Sequence, residues 1–291
     1  MDNRHNVVVL FLALLLLAGC AAPPMPREVA AQGRAYLPTV PVAGYQWPAR
    51  GFGHPPEAWA VSHASLIGER PVWFYDWWWD CTRWIGEPGV YIPSVMRAWY
   101  QEVMACNDGR PLLVLNEPEE QGQAELTPEQ AAGVLHAAAT SGWVGPLYCC
   151  GTQAAHLPYM QRLVAAYRAA YGAWPADGLH VHVYHGVGEL DAFVQWASGV
   201  GILGQGVVVS EFGLLTEEPI SVDQMGALAV AVEARPAVLT SAWFSVNYAP
   251  WRSSDLVDSD GALTALGKAW TGADMDAMDA GGARGRVLRG D

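Results

Sequence analysis

The chain has 291 residues, of which 52% are hydrophobic and only 15% are charged, and its formal net charge is −13. This composition is too apolar for a disordered chain, and the length is sufficient for one large domain with a substantial core. The acidic balance disfavours nucleic acid and anionic membrane surfaces as partners, because their phosphates would repel the chain.

Residues 1–19 have the features of an export signal. Arg4 precedes an uninterrupted apolar run over 7–18, which is short for a bilayer span and typical of a signal peptide. The run ends in LAGC at Cys20, which resembles the lipobox of bacterial lipoproteins and implies cleavage before Cys20 and lipidation of its thiol. A plain secretory signal is the alternative. The Pro/Ala-rich residues 20–41 read as a tether, so a domain in water would be held to the membrane by its lipid alone.

Residues 42–272 alternate short apolar runs with amphipathic stretches. The predicted strands cover 42–48, 72–78, 90–96, 111–117, 144–150, 179–184, 206–212 and 239–246. Val/Ile/Leu-rich strands that alternate with helices are typical of a parallel sheet covered by helices. Eight such units in this length predict the α/β class and a compact, single-domain (β/α)8 TIM barrel. The last residues, 273–291, read as a flexible tail.

Three predicted helices have local boundary signals. The first begins with Thr127 as N-cap and Pro128 at its first position, an arrangement that both residue types favour. The second starts at Tyr159 and closes at Gly172, and the third starts at 222 and ends before Pro236. These boundaries separate the strands as a barrel requires.

The cysteines other than Cys20 have no fixed role in the sequence. Four of them in an exported chain allow up to two disulfides, and their pairing stays open. The four are Cys81, Cys106, Cys149 and Cys150. Because no CxxC pair occurs, a structural zinc site has little support.

Two predicted strands end in a glutamate, Glu117 after PLLVLN and Glu211 after VVVS. Catalytic residues of (β/α)8 barrels lie at the C-terminal ends of strands. Two carboxylates at one barrel mouth suggest a glycosidase pair, in which one protonates the leaving oxygen and the other attacks the anomeric carbon. Alone, the Asn-Glu-Pro motif around Glu117 could instead be the first turn of a helix.

The two-residue period of a strand predicts the direction of both carboxylates. Glu117 would share the barrel-interior face with Leu113 and Leu115. In the same way, Glu211 would follow Val207 and Val209 into the interior. On this interpretation both carboxylates point into the barrel mouth.

LNEPE around Glu117 and SEFG around Glu211 resemble the motifs of glycoside hydrolase clan A. The clan places an Asn-Glu pair after strand four and a nucleophilic Glu after strand seven. The resemblance implies that Glu117 is the general acid/base, that Glu211 is the nucleophile, and that Asn116 holds the sugar 2-hydroxyl at subsite −1. It also implies that Tyr184 hydrogen-bonds the nucleophile and that Trp243 forms the aromatic platform for the sugar.

Within the clan, four motifs are similar in type and order to family 128, whose short barrels act on β-1,3-glucans. The motifs are WFYDWWWD (73–80), YIPSVM, LNEPE and SEFG. Asp76 departs from the pattern, which carries Asn at this position. The likeness implies a retaining endo-β-1,3-glucanase that needs no cofactor and takes a polysaccharide or oligosaccharide β-glucan as substrate. The glycosidic linkage follows from the likeness alone.

Further substrate contacts are predicted around the glutamates, at Tyr75, Asp76, Trp77, His182 and Asn247. The 14 Trp and 11 Tyr of the chain suit a sugar cleft, because these rings combine an apolar face with a polar tip. His180 and His182 form an HxH pattern that could bind a metal. No matching His or Asp cluster follows the other strands, so we predict hydrogen bonds to the nucleophile side and the sugar, and no metal.

Two other functional classes stay open at this point. One is a carbohydrate-binding surface lipoprotein that keeps a degenerate barrel and does not hydrolyse its ligand. The other is an adhesion protein, suggested only by the tether and the tail. Glu117 and Glu211 together favour the enzyme, which we expect to act as a monomer.

Overall fold

The computed structural model describes eleven stretches of the chain. They are 50–53, 72–77, 90–92, 94–95, 111–138, 144–148, 153–184, 186–214, 220–244, 255–260 and 262–271. The predicted export signal, tether, tail, first strand at 42–48, lipidated Cys20, other cysteines and Asn247 lie outside these residues. No helix within the eleven stretches is long and apolar enough to cross a membrane.

The described strands are short and parallel. Their bounds are β1 Arg50–Gly53, β2 Val72–Tyr75, β3 Val90–Tyr91, β4 Ser94–Val95, β5 Leu113–Val114, β6 Val144–Tyr148, β7 Gly178–Val183, β8 Val207–Phe212 and β9 Val238–Trp243. Seven of them form one sheet in the order β3-β2-β1-β9-β8-β7-β6, and β4 pairs with β5. The predicted α/β class with a parallel sheet is confirmed. Because β1 pairs with both β2 and β9, the first and the last described strands of the chain are neighbours in the sheet.

Five helices accompany the strands in the described part of the chain. They are α1 Pro128–Ala138, α2 Gln153–Tyr171, α3 Val187–Gly199, α4 Val222–Glu233 and α5 Ala265–Thr271. The predicted start of α1 is confirmed, because the Thr127 hydroxyl accepts from the Gln130 backbone N–H and the Gln130 side chain accepts from that of Thr127. The α2 helix ends before Gly172, at φ +90°, as predicted. It begins earlier than predicted, because the helix continues through Pro158.

The sheet has two apolar faces with different neighbours. One face packs against the helices and includes Phe52, Phe74, Val181, Val207 and Trp243. The other face gathers a smaller aromatic-rich cluster, made of Trp73, Tyr75, Ile92, Leu113, Val208 and Ala242, with Trp77 beside it. Glycines on β1 make room for this cluster, since a Cβ on Gly51 or Gly53 would overlap the rings of Trp73 and Tyr75.

Strict alternation along β8 fails at its end, which corrects one prediction. Val207 and Val209 lie on the helix-facing side of the sheet, and Val208 lies on the opposite side. Glu211 nevertheless points away from the helices, because the pairing register with β9 shifts between Val209 and Phe212. A β-bulge, and not the two-residue period, aims this carboxylate.

The chain also leaves the strand pattern after β5, so Leu115 does not share a face with Leu113. Leu115 lies in the helix-facing core, and Leu113 lies in the opposite cluster. The cause is backbone conformation: Leu115 has φ +73° and Glu117 has φ +43°, both in the left-handed region. Such conformations are costly for residues with a Cβ and concentrate at functional sites.

Candidate active site

Glu211 lies at the end of β8, and its carboxylate accepts hydrogen bonds from three side chains. Oε1 accepts from the Tyr75 hydroxyl at 2.8 Å and from the Trp77 Nε1–H at 2.9 Å. Oε2 accepts from the Tyr184 hydroxyl at 2.6 Å, so the predicted bond between Tyr184 and Glu211 is confirmed. The glutamate is 4% exposed, and a carboxylate buried this deeply needs such donors.

His182 lies between Glu117 and Glu211. Its Nδ1 is 2.7 Å from Oε1 of Glu117, and its Nε2 is 3.1 Å from Oε1 of Glu211. The second contact is close but poorly aligned for a hydrogen bond, so it acts as an ion pair. One ligand-type atom from each of the three residues lies within 4.8 Å of the other two. The structure therefore brings the two strand-end glutamates together, as the sequence predicted.

The charges of this cluster support one another. Burial opposes ionisation of Glu211, but the His182 charge, together with the hydrogen bonds from Tyr184 and Trp77, outweighs it and lowers the pKa of this carboxyl. Burial likewise lowers the pKa of His182, but Glu211 and Glu117 outweigh it and raise this pKa to about 9. Burial and the Glu211 charge raise the pKa of both tyrosines that bind Glu211. At neutral pH the site holds an ionised Glu211, a cationic His182 and neutral phenol donors.

His180, two residues before His182 on β7, has a different environment. Its Nε2 is 3.0 Å from the Val114 carbonyl oxygen, and its Nδ1 is 3.1 Å from the Ser210 Oγ. Burial lowers the pKa of His180 to about 3, which keeps the ring neutral. Both nitrogens of His180 have protein partners, so this residue positions its neighbours and does not contribute to a shared HxH metal site.

Glu117, His182 and Glu211 together are a set that could hold a divalent metal ion, since an imidazole and two carboxylates are common ligands. The observed geometry favours an ion-pair cluster instead, because the two ring nitrogens of His182 contact different carboxylates. A metal would require His182 to lose its proton and both carboxylates to reorient. The donor set as arranged therefore does not fit a metal centre.

Asn116 is buried next to Glu117 and binds a residue that the sequence did not single out. Its Nδ2 donates to Oε1 of Gln123 at 2.8 Å. Its Oδ1 is buried without a hydrogen-bond partner among the described residues. Gln123 follows Glu117 by six residues in a polar loop, where no motif or periodicity distinguishes it from Gln121.

Trp243 is not where the predicted sugar platform requires it. The residue is fully buried on the helix-facing side of the sheet. There its ring centroid lies 5.1 Å from that of Phe212 and 6.0 Å from that of Trp270. The prediction is wrong because Ala242, not Trp243, lies on the side of the sheet that carries the glutamates. Trp77 contributes an indole to the site instead.

The other predicted substrate residues include three consecutive ones, Tyr75, Asp76 and Trp77, at and just after the end of β2. Tyr75 and Trp77 lie against Glu211, and their rings pack edge to face with centroids 5.0 Å apart. Asp76, which lies between them in the chain, is buried, and its backbone carbonyl accepts a hydrogen bond from the Ser94 hydroxyl. Sequence reasoning missed that Tyr75 and Trp77 bind the carboxylate itself. The available signal was their spacing of two, since Tyr75 ends β2 and Trp77 follows beside the same aromatic cluster.

A family model described as "Glycosyl hydrolase catalytic core" matches residues 57–270, which is more than half of the chain and includes both glutamates. The chain belongs to this family. Membership makes the protein a glycoside hydrolase and agrees with a carboxylate pair at the ends of parallel strands. The comparison with curated proteins gives no match.

Solved structures share the fold at low identity. An endo-β-1,3-glucanase of GH128 subgroup II from Pseudomonas viridiflava is 23% identical, with a TM-score of 0.60 over 78% of this chain and 98% of that one. A subgroup I endo-β-1,3-glucanase from Amycolatopsis mediterranei, in complex with laminaritriose, is 19% identical, with a TM-score of 0.60 over 78% and 99%. A curdlan-specific exo-β-1,3-glucanase of subgroup III from Blastomyces gilchristii is 23% identical, with a TM-score of 0.58 over 77% and 97%.

Proposed function

We propose that this protein is a retaining family 128 hydrolase that cleaves β-1,3-linked glucan in an endo mode, on a closed (β/α)8 barrel. The observation that carries the proposal is the cluster in which Glu117, His182 and Glu211 meet within 4.8 Å. Retaining glycosidases hold their two carboxyl groups about 5–5.5 Å apart, whereas inverting enzymes leave about 6.5–9.5 Å for a water. One oxygen of Glu117 lies within 4.8 Å of one oxygen of Glu211, which supports direct attack by a carboxylate over attack by an interposed water.

In the first step, Glu117 donates a proton to the glycosidic oxygen while Glu211 attacks the anomeric carbon. The bond to the leaving sugar breaks, and a glycosyl ester forms on Glu211. The lowered pKa of Glu211 keeps it ionised for the attack. His182 stays cationic beside Glu117, where it stabilises the carboxylate left after the proton has been given away.

In the second step, Glu117 acts as a base. It takes a proton from water, the resulting hydroxide attacks the anomeric carbon, and Glu211 leaves as a carboxylate. The hydroxyls of Tyr75 and Tyr184 are already directed at the Glu211 oxygens, so the returning charge meets preorganised donors. Two displacements at one carbon return the original anomeric configuration.

The substrate assignment rests on the neighbours and on the charge. The structures from Pseudomonas viridiflava and Amycolatopsis mediterranei are endo-β-1,3-glucanases, and the second holds laminaritriose. A neutral glucan suits a chain with a net charge of −13, because it meets no phosphate repulsion. No organic cofactor has a role in the two steps.

The proposed place of action is outside the cytoplasm, with the lipid on Cys20 as the only membrane anchor. This part of the proposal is supported by the LAGC motif and the Pro/Ala-rich residues 20–41. Export suits an enzyme whose substrate is a polymer. The described residues of one chain supply both carboxylates and their donors, so a monomer is sufficient.

The test is release of soluble sugar from β-1,3-glucan, mixed-linkage glucan, cellulose, mannan and xylan. The parent should release oligosaccharides from β-1,3-glucan, and Glu211→Ala should release none while still binding the polymer. Glu120→Ala is the matched control, because Glu120 is exposed three residues from Glu117. Binding without release by the parent would indicate a carbohydrate-binding lipoprotein, and activity of Glu211→Ala equal to the parent would refute the mechanism.

A further inference from the structure

We propose that Glu119 and His156 form a buried positioning pair, which fixes the loop that carries Glu117 so that the Glu117 carboxyl reaches the glycosidic oxygen. The inference deepens the proposed hydrolase function and rests on it. Oε1 of Glu119 lies 2.5 Å from Nδ1 of His156, and the two side chains are 10% and 1% exposed. Because Glu119 follows Glu117 by only two residues, a contact that holds Glu119 limits the movement of Glu117.

The loop that follows β5 needs support from another part of the fold. Glu117 lies beyond the paired part of β5, which ends at Val114, and both Leu115 and Glu117 have positive φ. Residues with a Cβ keep such conformations only where the surrounding structure enforces them. The Glu120 N–H donates to the Glu117 carbonyl at 3.0 Å, but this bond lies within the loop and does not fix the loop relative to its surroundings.

Helix α2 supplies that support at two points. His156 lies near the start of α2 and contacts Glu119 at the beginning of the loop. Tyr159, three residues later and on the same face of the helix, donates its hydroxyl to the Leu126 carbonyl at 2.9 Å. The Leu126 N–H in turn donates to the Pro118 carbonyl at 2.7 Å. One helix therefore holds both ends of the loop.

The contact between Glu119 and His156 has the character of an ion pair. Burial lowers the pKa of His156, but the hydrogen bond and charge of Glu119, together with the charges of Glu120 and Glu117, outweigh it and raise this pKa. A charge-assisted hydrogen bond is stronger than a neutral one. If the loop moved away, a buried imidazolium would lose its partner, which is costly. The pair therefore opposes displacement of the loop and of the Glu117 carboxyl with it.

The experiment uses two substrates that differ in their need for an acid, phenyl β-laminaribioside and 2,4-dinitrophenyl β-laminaribioside. Dinitrophenolate leaves without a proton, whereas the phenyl substrate depends on the proton from Glu117. The readout is kcat/KM of the full chain on each substrate. His156→Leu should lower the value for the phenyl substrate about 10–100-fold, because a misplaced carboxyl transfers its proton poorly. The value for the dinitrophenyl substrate should stay within about 3-fold of the parent, since its first step needs no acid.

His156→Asn separates the hydrogen bond from the charge. The amide N–H of the asparagine takes the place of the Nδ1–H and can donate to Glu119, so the value for the phenyl substrate should stay within about 5-fold of the parent. His136→Leu is the matched control, because this half-buried histidine packs against α2 elsewhere, at Tyr167 and Tyr171, and both of its values should equal those of the parent. If His156→Leu does not fold, the double variant His156→Leu/Glu119→Leu replaces both charges by apolar groups and should show the same selective loss.

Equal slowing of both substrates by His156→Leu would leave the pair with a general structural role and overturn the inference. Unchanged values on both substrates would also overturn it, because the loop would then hold Glu117 without the pair. A selective loss in His156→Asn as large as in His156→Leu would attribute the effect to the charge of His156 and contradict positioning by the bond. A parent inactive on both substrates and on every glucan would refute the proposed function itself.

Discussion

The two glutamates of the site come from strand ends that are built differently. Glu211 belongs to the six-residue strand β8, and three side-chain donors fix its carboxylate. Glu117 follows the two-residue strand β5 on a backbone of positive φ, and it contacts the cation His182. The strand with its donors therefore stabilises one charge state, whereas the loop holds a carboxyl that the mechanism requires to give and take a proton. The proposed mechanism assigns the nucleophile to the first position and the proton transfer to the second.

The largest loss of activity should come from removing the negative charge of Glu211. Glu211→Gln keeps the size of the side chain but supplies no carboxylate for attack, so kcat on β-1,3-glucan should fall by about 10⁴-fold or more. Steady-state kinetics with Glu120→Gln as control measure the loss. A fall of less than about 10-fold would mean that Glu211 does not attack the sugar.

Replacement of Glu117 should cause a smaller loss of activity, and its size should depend on the leaving group of the substrate. Glu117→Gln should slow cleavage of glucan by about 10²–10⁴-fold, because the leaving sugar oxygen then departs without a proton. An aryl glycoside with a dinitrophenolate leaving group does not need that proton, so its first step should stay near the parent rate. Rapid-mixing kinetics separate the two steps. Equal slowing of both substrates would argue against Glu117 as the acid.

The three donors to Glu211 should contribute smaller amounts. Tyr184→Phe and Tyr75→Phe each remove one hydrogen bond to a charged, buried carboxylate, which corresponds to about a 10–100-fold loss of kcat/KM. Each should also raise the pKa of Glu211, since its ionised form loses a donor. The acidic limb of the pH profile should therefore move to higher pH. An unmoved limb in both variants would show that these hydroxyls do not control the Glu211 charge.

The cation His182, which lies between the two glutamates, should make the stability of the protein depend on pH. The pKa of His182 is raised from the ordinary 6.5 to about 9, so its contribution is fully present below pH 6.5 and is lost as pH rises through 9. The free energy of unfolding of the parent, relative to His182→Asn, should fall by about 1–3 kcal/mol across this window. Chemical denaturation at a series of pH values tests it. A constant difference from pH 6.5 to 10 would mean that His182 is neutral in the fold.

The sequence predicted those features that depend on the order of strands and helices and on residue types at their ends. It predicted the α/β class, the start of α1 at Pro128, the approach of Glu117 to Glu211 and the bond from Tyr184. The class follows from strands that alternate with helices, the helix start from its capping residues, and the approach of the glutamates from strand ends that share one edge of a parallel sheet. The bond from Tyr184 was implied by the resemblance to clan A. The closed barrel, the lipid anchor and the catalytic roles stay predictions.

What the sequence did not predict depends on local backbone geometry. The bulge before Glu211 and the positive φ of Leu115 break the two-residue period, and no residue type announces either of them. The same limit explains the error at Trp243, whose side of the sheet depends on the register of β9. The hydrogen bond from Asn116 to Gln123 depends on how a loop closes, and the hydrophobic periodicity of the sequence does not predict loop conformation.

The most direct test of the account is to trap the intermediate on the strand-end glutamate. Glu117→Gln, mixed with 2,4-dinitrophenyl β-laminaribioside, should form the glycosyl ester quickly and hydrolyse it slowly, because the base for the second step is missing. Mass spectrometry should then find the protein heavier by one laminaribiosyl group, with the added mass on the peptide that contains Glu211. An adduct on another residue, or turnover with no adduct and with inverted product, would contradict the two-glutamate double displacement.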